Sequence, residues 1–166
     1  HTLFGAVDPV YDPPQSTFEP TKKEANVPNV NTIPGDDVFY LDCRVLPRYA
    51  LDDVLHRIRG LADEIEGVFG VTVDMSPIQK NQAPPPTPDD APVVRALQRA
   101  VRDVYGVSAS PVGIGGGTVA AFFRQEGFPA AVWSRIGLNA HQPNESCLIE
   151  NMLGNARVYS HLFLQF

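Results

Sequence analysis

The sequence predicts an α/β protein in two parts, and three features point there. Residues Asp37 to Val45 alternate apolar and polar side chains with the period of a half-buried strand. Residues Leu51 to Phe69 repeat apolar side chains at three- and four-residue steps, the pattern of an amphipathic helix. Between Gln79 and Asp90, Pro84, Pro85, Pro86 and Pro88 interrupt any regular element, so residues 1–80 and 81–166 are expected to form separate domains.

Composition sets the outer limits. A chain of 166 residues, 43% hydrophobic and 19% charged, can bury a core as one domain or as two small ones. A net charge of −6 with scattered Lys and Arg offers no basic stripe, which argues against nucleic acid as a partner. Cys43 and Cys147 are too few for a disulfide framework and suit a reducing cytoplasm. No apolar run reaches membrane-spanning length. The expected setting is cytoplasmic, without a membrane partner.

The elements follow in order. Residues 1–15 read as loop, punctuated by Asp8-Pro9 and Asp12-Pro13-Pro14. Ser16 to Lys23 can be a strand, bulged or at an edge because Pro20 interrupts it. Pro34-Gly35 carries the signal of a type II turn. In the next strand Phe39, Leu41, Cys43 and Val45 share one face, while Tyr40, Asp42 and Arg44 share the other, which reads as a solvated face. The helix from Leu51 has Asp52 and Asp53 in its first turn, favourable at the positive end of the helix dipole, and stops at Gly70. Val71, Val73 and Met75 alternate into a short strand. Strand, strand, helix, strand is the order of a split β-α-β sandwich lacking its first strand and helix.

The second part begins with a helix to Tyr105, capped by Asp90, with Pro92 in its first turn and Gly106 as its stop. Its apolar stripe is Val94, Leu97, Val101 and Val104. Ser108 to Ile114 reads as a strand, Thr118 to Glu126 as a helix with Gly127 as stop, and Ala130 to Ile136 as a buried strand. A last helix from about Cys147 to Phe166 would turn Leu148, Ile149, Met152, Leu153, Ala156, Tyr159 and Phe163 inward. This is the order of a layered α/β domain.

Two loops could carry chemistry. Gly137-Leu-Asn-Ala-His-Gln-Pro-Asn-Glu145 follows a strand-like run and supplies an imidazole (His141), a carboxylate (Glu145) and two amides (Asn139 and Asn144). A neutral imidazole suits both metal ligation and proton transfer. The bland reading is a surface loop in which Asn144 or Ser146 caps the next helix. The second loop, Gly113-Ile-Gly-Gly-Gly-Thr118, would let backbone N–H groups approach an anion at the start of a helix. It lacks the lysine of a Walker motif and fits the dinucleotide fingerprint poorly, so a plain flexible turn stays open. A ligand for an SH3-type domain is the lesser reading of the proline-rich connector, since a PxxP-like match is a weak compositional signal.

Taken together, these stretches resemble one family. Pro28-Asn-Val-Asn-Thr-Ile-Pro34, Leu41-Asp-Cys-Arg44, Gly113 to Ala121, Pro129-Ala-Ala-Val-Trp133 and Ala140-His-Gln-Pro-Asn-Glu145 run in the order seen in the zinc-dependent amidohydrolases that include acetylornithine deacetylase and succinyl-diaminopimelate desuccinylase. The resemblance covers roughly residues 16 to 166. It implies a partial ferredoxin-like lid, or dimerisation, domain followed by the C-terminal part of a layered α/β zinc-peptidase catalytic domain.

It also implies roles. His141 would be the family's last metal ligand, with Glu145 orienting the loop or the imidazole. Arg44 would clasp a substrate carboxylate, Asn31 would lie near the scissile group, and Gly117 and Thr118 would lie beside the substrate's carboxylate end. Many relatives place Asp or Ser where this chain has Val119, which leaves the substrate open. The cofactor implied is a pair of zinc ions, with cobalt possible. A single imidazole cannot hold zinc, which wants four ligands, or three and a water. The other ligands, the general-base Glu and the lid histidine are expected before His1, none of the catalytic residues proper lying within this chain. The expectation is therefore the C-terminal part of a longer enzyme, inactive and metal-free alone, that cleaves N-acyl amino acids or small peptides as a homodimer. The rival expectation is a non-enzymatic dimerising module whose glycine-rich loop binds a small anion.

Overall fold

The computed structural model describes residues 3–137, 139–140 and 142–165. Its elements run β1 (Tyr11–Asp12), β2 (Thr17–Lys23), β3 (Phe39–Arg44), α1 (Leu51–Phe69), α2 (Pro92–Tyr105), β4 (Gly113–Ile114), α3 (Ala120–Gln125) and α4 (Ile149–Phe163). The chain is a mixed α/β protein with small sheets. It forms two compact units: one holds the chain up to Ala83 together with Gly113–Gly116, the other holds Pro84–Val112 together with the chain from Gly117 onward.

In the first unit β2 and β3 form an antiparallel ladder, with Thr17 opposite Arg44 and Lys23 opposite Phe39. The register is irregular between Pro20 and Lys22, where proline cannot donate to the ladder. β1 and β4 pair in parallel, Tyr11 with Gly113 and Asp12 with Ile114. Pro34-Gly35 does not make the predicted type II turn, because Gly35 is not among the glycines with positive φ. Instead Thr32 N–H reaches Asn29 O at 3.4 Å.

Helix α1 ends as predicted, with Gly70 in the left-handed region at φ 64°. Ala50 at its start has no side-chain cap, and Gln82 Oε1 accepts from Leu51 N–H at 2.9 Å in that place. Val54 and Ala62 are buried, but Ile65 and Phe69 of the same stripe are exposed. The strand predicted over Val71 to Met75 joins no sheet. Its backbone is met by helix side chains: Val73 N–H donates to Glu66 Oε1 at 2.6 Å, and the Arg59 guanidinium donates to Val73 O.

The second unit is built on α2 packed against α4. Ala100, Val101 and Val158 are its buried centre, with Leu97, Val104, Tyr105, Trp133 and Leu162 around them. Pro92 stands in the first turn of α2 and Gly106 closes it at φ 67°, as the sequence indicates. Asp90 does not cap it: the residue before the helix is Ala91, and Asp90 forms a loose ion pair with Arg95 at 3.7 Å.

Further expectations fail in the second half of the chain. Ala130 to Ile136 forms no strand and lies in no sheet, with Val132 63% and Ile136 67% exposed. Only Gly113–Ile114 of the strand expected from Ser108 pairs at all. Helix α4 also turns the other way from its apolar pattern. Asn151, Gly154 and Val158 are buried, whereas Ile149, Met152, Leu153 and Phe163 are each more than half exposed. A strong apolar stripe shows that a surface suits burial, not that this neighbour covers it.

Candidate functional site

The glycine-rich loop is anchored at its root and open at its tip. Gly113 N–H donates to Val10 O at 2.7 Å, and β1 supports the next residue. A Cβ at Gly113 would fall 2.3 Å from the Tyr11 ring, so only glycine fits there. Arg44, at the end of β3, donates through a terminal nitrogen to Gly115 O at 2.8 Å, across 71 residues of chain. Around Gly116 and Gly117 there is open space.

The rest of the Arg44 guanidinium is held by Asp42, two residues earlier on the same strand face. Nε and the other terminal nitrogen both lie 2.8 Å from Asp42 Oδ2. Charge assistance strengthens such contacts, although exposure leaves them open to screening by salt. Asn31 stands in the same unit, in the exposed turn near Asn29 and Thr32. Gly117 and Thr118 belong to the second unit, where Thr118 O accepts from Ala121 N–H at 3.0 Å and opens α3. With six residues, α3 offers only a small dipole to an anion.

In the second unit a cavity of about 360 Å³ opens beside the other loop, lined by Ile136, Gly137, Asn139, Ala140, Glu145, Ser146 and Cys147. Asn139 braces it, donating to Asn144 O at 3.3 Å and to Ser146 Oγ at 3.0 Å. Asn144 takes φ 63°, a left-handed conformation that Asn tolerates better than most residues. Glu145 N–H closes a turn on Gln142 O at 3.1 Å. Neither Asn144 nor Ser146 caps α4, whose preceding residue is Leu148 without a side-chain cap. Glu145 lines this cavity, while His141, the predicted metal ligand, lies outside the described residues.

The approach to this loop is held by side chains to which the sequence assigns no role at the site. Thr87 Oγ1 both accepts from Ala130 N–H at 3.0 Å and donates to Ala130 O at 2.7 Å. Tyr159 Oη donates to Trp133 O at 2.6 Å. Asn155 holds both backbone groups of Arg135 and also donates to Ser134 Oγ at 2.9 Å. Asn155 and Tyr159 are four apart on α4, so one helix face can reach successive residues of an extended segment. That spacing was the available signal.

The family model described as peptidase family M20/M25/M40 matches residues 7–165. The chain belongs to that family. It is 36% identical over 171 residues to an uncharacterized metallohydrolase of Methanococcus maripaludis, covering 94% of this chain and 40% of that protein. It is 35% identical over 164 residues to an uncharacterized metallohydrolase of Methanocaldococcus jannaschii, with the same coverage of 94% and 40%. The chain thus spans about 40% of the length of these curated relatives. No solved structure matches it significantly.

Membership raises the question of a metal. Among the described residues no group of three or more His, Cys, Asp or Glu side chains could hold one. Glu145 and the sequence neighbour His141 are too few donors for a closed or catalytic zinc site. The donors among the described residues do not by themselves fit the ion. Among the described residues, no helix is long and apolar enough to cross a membrane.

Proposed function

We propose that this chain supplies the carboxylate-recognising and loop-forming part of a metal-dependent M20 hydrolase acting on the amide bond of N-acyl amino acids or small peptides. The observation that carries the reading is the placement of Arg44: a planar guanidinium, suited to a carboxylate, stands directly on the carbonyl of Gly115 in the glycine-rich loop. Membership of the family across residues 7–165 supports the hydrolytic class, and the relatives' description as metallohydrolases supports metal dependence.

In this reading the first unit is a partial ferredoxin-like lid through which the protein dimerises, and Asn31 serves beside Arg44. Gly117 and Thr118 lie along the substrate's carboxylate end. His141 contributes one ligand to a zinc pair, and Glu145 orients its loop. This reading assigns no further ligand and no reaction step to the residues present. The chain's own contribution is to bind and orient.

The test is an assay of the gene's whole product, supplied with Zn²⁺ or Co²⁺, against acetyl, succinyl and dipeptide substrates. Release of free amine that EDTA abolishes is the expected result. No release from any of these by a folded, metal-loaded protein would overturn the reading.

A further inference from the structure

We infer that Asp42 is a positioning residue: it fixes the Arg44 guanidinium against the Gly115 carbonyl, and so locks the root of the glycine-rich loop to strand β3. The inference adds to the proposed function, and rests on it only for its kinetic consequence.

The geometry divides the fork of Arg44 in two. Nε and one terminal nitrogen lie on Asp42 Oδ2, both at 2.8 Å, which fixes the plane of the guanidinium. The other terminal nitrogen is thereby aimed at Gly115 O, 2.8 Å away. The aliphatic stem of Arg44 runs past Gly115, where an added Cβ would meet Arg44 Cβ, Cγ and Cδ at 3.7–3.8 Å. A long side chain with freely turning bonds would not hold such an aim alone, because ordering it costs rotamer freedom. Asp42 offsets that cost through its two contacts with the guanidinium.

The strand explains why Asp42 faces this way. Asp42 and Arg44 are two residues apart and so share a sheet face. Across the ladder Glu19 stands opposite Asp42, and like charges directly opposite repel. Asp42 is thus drawn along its own strand toward Arg44 and away from Glu19. The loop root is then held at successive residues, by the Tyr11 ring at Gly113, by β1 at Ile114 and by Arg44 at Gly115, while Gly116 onward stays open. An arriving carboxylate must compete with Asp42 for the guanidinium. Binding there would therefore loosen the hold of Asp42 and be felt at the loop.

Amide hydrogen exchange of the whole protein, followed by mass spectrometry on peptides spanning residues 110–120, reads this without any substrate. Asp42→Ala should speed exchange at Gly115–Gly117 by roughly twofold to fivefold, the range expected for loss of an exposed ion pair. Peptides from α2 should not change. Arg44→Ala should have the same effect, and Asp42→Ala should add nothing in the Arg44→Ala background. Should Asp42→Ala fail to fold, raising NaCl from about 0.05 to 0.5 M should loosen the same peptide in the unaltered protein, because screening weakens exposed pairs. The inference is overturned if exchange at 115–117 is unmoved by the substitution and by salt, or if the effect of Asp42→Ala persists undiminished without Arg44. In hydrolysis, Asp42→Ala should raise KM with kcat little changed. Loosened exchange without hydrolysis of any N-acyl substrate would sink the proposed function and leave the positioning role standing.

Discussion

Asn155 holds the backbone of Arg135 from both sides: Arg135 N–H donates to Asn155 Oδ1 at 3.0 Å, and Asn155 Nδ2 donates to Arg135 O at 3.3 Å. A side-chain amide here does what a neighbouring strand does elsewhere. Asn155→Ala should lower stability by about 1–2 kcal/mol, since two backbone groups lose their protein partner but remain reachable by water. Asn155→Asp keeps the acceptor, loses the donors, and should cost less than Ala. Urea unfolding of the three proteins checks the order.

Tyr105 and Gly154 form a tight contact between α2 and α4. A Cβ at residue 154 would lie 1.9 Å from Tyr105 Oη, and that hydroxyl is buried without a hydrogen-bond partner among the described residues. Gly154→Ala should destabilise by about 1–3 kcal/mol through overpacking, despite the better helix propensity of alanine. Tyr105→Phe should be neutral or stabilising, because it removes an unsatisfied buried group. The double variant should recover part of the loss. Thermal unfolding of the single and double variants would show the coupling.

On the proposed function, Arg44→Ala should reduce kcat/KM of the whole protein at least tenfold, about 1.4 kcal/mol, on substrates bearing a carboxylate. Arg44 is exposed, so global stability should change little. Steady-state kinetics beside a melting curve separate the two effects, and unchanged kinetics would demote Arg44 to a surface residue.

The β2–β3 hairpin should have a two-sided pH dependence. The Lys22 ammonium and the Tyr40 hydroxyl on Glu24 hold its carboxyl below the ordinary range, and Glu24 raises both Lys22 and Tyr40. A depressed carboxylate contributes stability at neutral pH that is lost as pH falls through its folded value. A raised ammonium or phenol contributes stability that is lost as pH rises through its own. The pairing should therefore weaken below the usual carboxylate range and again above the usual phenol and lysine range. Glu24→Gln should flatten both limbs in an NMR titration of the Tyr40 ring.

Cysteine reactivity should separate cleanly. Burial pushes the Cys43 thiol up, with the Asp42 carboxylate adding to it, while Cys147 is exposed beside the loop cavity. Thiolate is the reacting form, so iodoacetamide near neutral pH should label Cys147 well before Cys43. Peptide mapping over a time course reads the order.

The parts of the fold legible in the sequence are those fixed by near neighbours. Helices α1 and α2 announced themselves through the spacing of Val54, Leu55 and Ile58, or of Val94, Leu97 and Val101, and through Gly70 and Gly106, which take the left-handed turn that stops them. The break at Pro20 was equally local. What depends on distant residues was not legible. Val71 to Met75 and Ala130 to Ile136 have the composition of strands, yet their backbones are met by Glu66, Arg59, Thr87 and Asn155. The start of α1 is likewise met from afar, by Gln82, 31 residues from Leu51, and the local reading of Asp90 as the cap of α2 did not hold. At the candidate site, Arg44 could be chosen from its type and neighbours, but its meeting with Gly115 could not, and Asp42 was read as a solvated charge.

Helix α4 carries two separate vocabularies along its length. Gly154 and Val158 face α2 and set how closely two helices approach, so changes there should register as lost stability. Ile149, Met152, Leu153 and Phe163 are each more than half exposed, so polar replacements there should change the melting point less than changes at Gly154 or Val158 and alter how readily the protein stays dispersed. One helix thus presents two independent dials, one for cohesion within the unit and one for its behaviour toward everything outside it.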